Sequence, residues 1–328
     1  MLLRAIHNNR LLTFVLVPVL MLALWARFFV IDIVHFTIHD NPSMPLWEAF
    51  VMPFFGYSKI AASLLAYALL LTTGLTVNRM ASKYALLQKQ SLLPLFVFML
   101  LASAFLSVQK LNPVLIFAFF FAFSIERLLG SVNETKPVVR CFDASLLVGI
   151  GSLFFAKGVF LYPILFLVMG ILRVANYRTL IASLMGFIFP FTISFAWFFL
   201  MNEPGYFLSI INENLFSNPG QYNHTVYSEV YLGLFVGINI VAIVVLVRNM
   251  AVQKVITRKY YRVFIWIVFL TGIGVLLPFF SMEIFPVVIM ASSIIFSFWI
   301  DKTTNKWMQE GYLWLIVVLT AFGQLLLN

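Results

Sequence analysis

The stretch TLIASLMGFIFPFTISFAWFFLM, residues 179–201, decides the fold: it carries no charged residue and is bounded by Arg178 on one side and Glu203 on the other. A helix rises about 1.5 Å per residue and the hydrocarbon core of a bilayer is about 30 Å thick, so a run of this length crosses. The run is continuous rather than alternating. In hydrocarbon the backbone must satisfy its own hydrogen bonds, and an unbroken apolar run does so as a helix, not as a barrel strand.

Outward from that stretch, comparable apolar runs fall near 11–31, 58–77, 91–109, 111–125, 144–156, 158–172, 230–247, 263–280, 284–300 and 311–327. The whole chain is 62% hydrophobic and 10% charged, with a mean hydropathy of +1.01. A soluble domain is roughly half apolar and about a quarter charged. The expectation is an all-α, polytopic transmembrane helical bundle of about 11 spans, forming a single integral membrane domain over residues 1–328. The first run is too long for a signal-peptide core and reads as an uncleaved span. Cys141 is the single cysteine and forms no internal disulfide.

The net charge of +9 does not point to nucleic acid, because the basic residues sit in short connections between apolar runs. With the N-terminus cytoplasmic, all but four of the lysines and arginines fall inside; the four outside are Arg27, Lys59, Lys110 and Lys157. That asymmetry follows the positive-inside rule and places the C-terminus outside. Residues 144–172 hold two short runs meeting at Lys157-Gly158, which read either as two spans or as a re-entrant hairpin, giving nine crossings in the second case. Sidedness elsewhere is the same either way.

Two outer connections are long enough to build a site. The first, about 32–57, holds Asp32, His35, His39, Asp40 and Glu48; the second, 202–229, holds Glu203, Glu213, His224 and Glu229. A carboxylate at the end of a span is a functional candidate, so Asp32 and Asp40 are the expected catalytic acids. His35, His39, Glu213, His224 and Glu229 are the expected substrate-binding groups. His35 and His39 share a helical spacing, but no Glu follows His35 and Asn41-Pro42 ends any helix, so no metal site is assigned. Whether a cofactor takes part is left open by these residues.

At the inner ends of the 144–201 helices, Asp143 is expected to pair with Arg173 or Arg178 as a structural clamp. The inner cations, Arg173 and Arg178 among them, also suit an anionic lipid head group.

The order NPVLIFAFFFAFSIERLLG (112–130), CFDASLLVGIGSLFF (141–155) and ILFLVMGILRVANYRTLIASLMGFIFPF (164–191), together with NNRLLTFVL and Val77-Asn78-Arg79, resembles a family of multi-pass membrane proteins from Bacteroidetes that has no assigned function. The resemblance implies a Gram-negative inner membrane and supplies no activity. Asp32 and Asp40 also resemble the external acids of membrane glycosyltransferases that use polyprenyl-phosphate sugars. The leading functional expectation is a protein that handles a lipid-linked envelope or glycan precursor, as transferase or accessory subunit, with membrane lipids and a polyprenyl-phosphate-linked substrate as partners. A transporter or flippase, with 144–172 as its irregular element, and a non-catalytic scaffold subunit are the alternatives.

Overall fold

The computed structural model describes residues 17–25, 44–56, 58–88, 91–104, 109–216, 226–276 and 284–326. Among the described residues the chain is helical and forms no strand. Residues 17–25 are helical, and a short helix follows with a π segment at Trp47–Val51 and an α turn at Met52–Phe55. The main helices are α1 (Lys59–Lys83), α2 (Leu93–Ala102), α3 (Pro113–Gly130), α4 (Pro137–Ser152), α5 (Pro163–Leu172) and α6 (Tyr177–Leu200). They continue as α7 (Pro204–Phe216), α8 (Val226–Asn249), α9 (Val255–Leu276), α10 (Phe285–Lys302) and α11 (Lys306–Leu326).

Two helices form the centre. Every residue of α2, and every residue of α10 from Phe285 to Ile300, is buried. α10 packs against α1, α2, α3, α8, α9 and α11. At the periphery, α6 buries only Thr179, Ser183, Gly186 and Pro190, a narrow stripe at helical spacing. Its large apolar side chains, including Leu184, Ile188, Ile193 and Trp197, are exposed. Small residues facing protein and large apolar ones facing outward invert the soluble pattern and suit a helix bathed in lipid. α1, α3, α6, α8 with its short extension to Val252, and α10 are each long and apolar enough to cross a membrane. The chain is therefore described as a helical membrane protein with five such helices among the described residues.

The segment 144–172 is built differently from two equal runs. α4 begins at Pro137, whose missing N–H costs nothing at a helix start, and so takes Arg140 and Asp143 into the helix. A 3-10 helix at Ala156–Leu161 follows, and α5 is ten residues long, about 15 Å, or half the hydrocarbon thickness. Gly158 in the 3-10 segment is filled against the ring of Phe117, which lies 2.4 Å from where a Cβ would stand. The Asn112-Pro113 pair is a cap: the Asn112 side chain accepts from the Leu115 N–H at 2.9 Å and starts α3.

The connection 202–229, expected as a loop, contains the helix α7. Pro204 opens it, and Phe207, Ile210, Ile211 and Leu215 lie on one face toward the core, the spacing of an amphipathic helix. α7 packs on α6 and on the 3-10 segment.

Among the described residues, three helices are followed at their ends by a residue in the left-handed region: Ala85 (φ 48), Arg173 (φ 62) and Asn202 (φ 62). At α5 the Val174 N–H bonds the Met169 carbonyl and the Arg173 N–H bonds that of Gly170, both at 3.1 Å. Glycine is the usual residue in such an end, and a side chain there costs about 1–2 kcal/mol.

The helix ends gather into two sets. At one end, α9 reaches three separate connections: Lys259 Nζ donates to the Leu172 carbonyl at 3.2 Å, Tyr260 Oη to that of Leu129 at 3.4 Å, and Tyr261 Oη to that of Leu86. Asp301, closing α10, accepts from the Gln88 N–H at 2.8 Å. At the other end, Gln324 Nε2 donates to the carbonyls of Leu24 and Ser103 at 3.2 and 2.9 Å, and Trp25 Nε1 donates to Ser103 Oγ at 3.2 Å. The first end holds the connections assigned inside by charge, the second those assigned outside. Because the Tyr261 hydroxyl is buried, Tyr261→Phe is expected to cost about 1 kcal/mol, the net worth of a buried hydrogen bond, read as a lowered midpoint of unfolding in detergent.

Candidate functional sites at the two ends of the bundle

At the basic end, α3 continues beyond residue 125 and carries Glu126 into the interior. Its side chain, 8% exposed, pairs with Arg79 Nε at 3.2 Å and accepts from Lys83 Nζ at 3.4 Å, both on α1. Tyr84 completes the group: its hydroxyl donates to the Glu126 backbone carbonyl at 3.0 Å, and its ring lies 5.0 Å from that of Tyr260. Burial first, then the Glu126 carboxylate, pushes the Tyr84 phenol up from its ordinary value. Glu126 was not among the sequence candidates; the signal was an acid directly after the run FAFFFAFSI, one turn before the helix ends.

Beside this cluster, the C-terminal end of α5 and the first turns of α9 enclose a cavity of about 300 Å³ lined by Ile171, Arg173, Val255, Arg258, Lys259 and Arg262. No carboxylate lines it. Arg258 donates to the carbonyls of Gln253 (Nε, 2.7 Å) and Ala251 (Nη2, 3.0 Å), and Lys259 to that of Leu172. These neutral acceptors fix the cations without neutralising them.

Asp143 does not close the expected clamp. Among the described residues it forms no ion pair with Arg173 or Arg178. It stands one turn along α4 from Arg140, whose Nε donates to Glu134 at 2.9 Å. Arg178 Nε donates to the Tyr177 hydroxyl at 2.8 Å, while Arg173 lines the cavity. The two arginines thus serve different surroundings, although both sit at the same end.

At the opposite end, the two long connections approach each other. Tyr206, on α7, has its phenol pushed up by burial first and then by the carboxylates of Glu48, Glu203 and Glu213. Glu48 comes from the first connection and the other two from the second. Glu213 and Glu229 are exposed, Glu213 within α7 and Glu229 in the first turn of α8. Asp32, His35, His39, Asp40 and His224 lie outside the described residues.

No family model, no curated protein and no solved structure matches the chain. Its functional reading therefore rests on its own residues.

Proposed function

We propose that this chain is a multi-pass inner-membrane protein that handles a lipid-linked envelope precursor at the end of the bundle opposite its basic residues. By the positive-inside rule that end faces outward, with the N-terminus cytoplasmic and the C-terminus external. The observation that carries the reading is that Glu48 of the first connection and Glu203 and Glu213 of the second all act electrostatically on the one phenol of Tyr206. Three carboxylates from two connections thus lie within electrostatic reach of one residue just beyond α6, whose apolar face is exposed. Tyr206, Leu208 and Phe216 on α7 are exposed, apolar and aromatic groups suited to the membrane interface. A lipid-borne head group arriving along α6 would meet acids and a tyrosine ring there, groups that hydrogen-bond and stack on carbohydrate. Asp32 and Asp40 precede this region in sequence and remain the proposed reactive acids, with His35, His39, His224 and Glu229 as further substrate contacts.

The transporter reading looks to 144–172 for a substrate path, but the 3-10 segment there is packed by Phe117 and offers it no support. Mass spectrometry of lipids copurifying with the protein tests the proposal. Polyprenyl-phosphate species are expected to be enriched over the bulk phospholipid of the same membranes, and less so in Glu48→Gln/Glu213→Gln. A lipid profile equal to that of the surrounding membrane would overturn it.

A further inference from the structure

We infer that the cavity between α5 and α9 binds the phosphate of an anionic membrane lipid. Four cations converge on it from two helices: Arg173 from the end of α5, and Arg258, Lys259 and Arg262 from the start of α9. The positive-inside rule asks only that cations lie near the inner ends of spans; it does not ask that they be drawn together around a cavity with no acid in its wall. Like charges held this close repel, and the arrangement gains from an anion that enters. Arg258 and Lys259 are tied to backbone carbonyls, so they cannot swing apart to relieve the repulsion without losing those bonds. Among the described residues, Arg173 and Arg262 have no carboxylate partner.

Arg173 supplies a second, independent sign. It occupies a left-handed helix end (φ 62) where glycine sits without strain, and the side chain that brings this strain is one that lines the cavity. Strained residues at ligand clamps are a known use of such positions. The cavity also lies at the N-terminal end of α9, where the helix dipole favours an anion.

The lipid source, rather than a soluble phosphate, follows from the remaining wall. Ile171 and Val255 give the cavity an apolar side, and its volume of about 300 Å³ is at the small end of ligand sites. It accommodates a head group and leaves the acyl chains to the bilayer. This inference does not depend on what happens at the opposite end of the bundle.

Native mass spectrometry of the full chain with phosphatidylglycerol against phosphatidylcholine tests it. The wild-type chain is expected to prefer phosphatidylglycerol. Arg173→Gly is expected to weaken that preference about fivefold and Arg173→Gly/Arg262→Gln about twenty-five-fold, at about fivefold per cation near an acidic leaflet. Arg173→Gly also removes the backbone strain, so its unfolding midpoint is expected to equal or exceed the wild type, which separates lost binding from lost folding. Arg178→Gln, at the same end but not lining the cavity, is expected to change the preference less than about twofold. Unchanged binding in the double variant, or equal weakening by Arg178→Gln, would overturn the site. Inorganic phosphate displacing the lipid at equal concentration would assign the cavity to a soluble phosphate and overturn the lipid.

Discussion

Replacing Arg79 and Lys83 together by methionine is expected to cost about 3 kcal/mol of stability, because it strands a buried carboxylate without its cations. Adding Glu126→Gln to the same chain is expected to recover most of that loss. The asymmetry comes from exposure. The Glu126 side chain is 8% exposed, whereas those of Arg79 and Lys83 are 64% and 44% exposed. If the acid is removed alone, both cations reach water, and the cost is that of a partly exposed pair, about 1 kcal/mol. If the cations are removed, the acid has nowhere to go: the Tyr84 hydroxyl is engaged with the Glu126 backbone carbonyl, not with its carboxylate. The rescue also answers a second explanation. Arg79 and Lys83 belong to the connections that carry most of the basic residues, and Glu126→Gln does not restore either positive group. Recovery measured by steric trapping or denaturant titration in bicelles therefore reports the ion cluster itself. Equal losses in Glu126→Gln and in the methionine pair would show that the cluster is solvated and holds α1 to α3 only weakly.

The gathering of the basic ends was legible because it is a local signal: each cation marks its own connection, and no knowledge of packing is needed to count them. The Lys259 to Leu172 and Asp301 to Gln88 contacts then tie connections that were grouped by charge alone. Pairing between helices was not legible. Glu126 read as the polar boundary of a run ending at 125, yet the helix continues to Gly130, because the two α1 cations make a buried carboxylate tolerable there. Neither sequence distance nor periodicity reveals that pairing. Asp143 shows the same limit from the other side. It shares an end with Arg173 and Arg178, but sharing an end does not bring side chains together, and α4 sets it one turn from Arg140 instead. For α7 the signal was present and outweighed: Glu203, Glu213, His224 and Glu229 marked 202–229 as an outer connection, while the spacing of Phe207, Ile210, Ile211 and Leu215 carried the helix. Membrane-interface helices are prone to this reading, since their polar face is as rich in amides and acids as any turn.

Gly186→Ala is expected to destabilise the chain by about 3 kcal/mol and Gly149→Ala by about 2 kcal/mol, the upper part of the range for overpacking. α4 and α6 are held at a separation that only small residues permit. A Cβ at Gly186 would stand 2.4 Å from the Phe142 carbonyl oxygen, and one at Gly149 would stand 2.6 Å from that of Phe187. Both obstacles are backbone, which cannot rotate aside as a side chain does. Between the two glycines the contact is polar: Ser145 Oγ and Ser183 Oγ are 2.6 Å apart, and the Tyr162 hydroxyl is 3.1 Å from Ser183 Oγ. In lipid there is little hydrophobic drive to bring helices together, so close backbone approach and hydrogen bonds of this kind carry the association. One added methyl should therefore push α6 outward, weaken the serine pair and loosen Tyr162, whose ring stacks on Phe187 at 4.0 Å. Because Tyr162 stands at the start of α5, the displacement is expected to reach that helix. The clear control is Gly170→Ala on α5, where a Cβ meets nothing within 4 Å. That substitution is expected to be neutral or slightly stabilising, by up to about 1 kcal/mol, since alanine replaces glycine in a helix interior. Equal effects at Gly186 and Gly170 in a resistance-to-denaturation assay would mean that helix propensity, not the α4–α6 approach, governs stability at these positions.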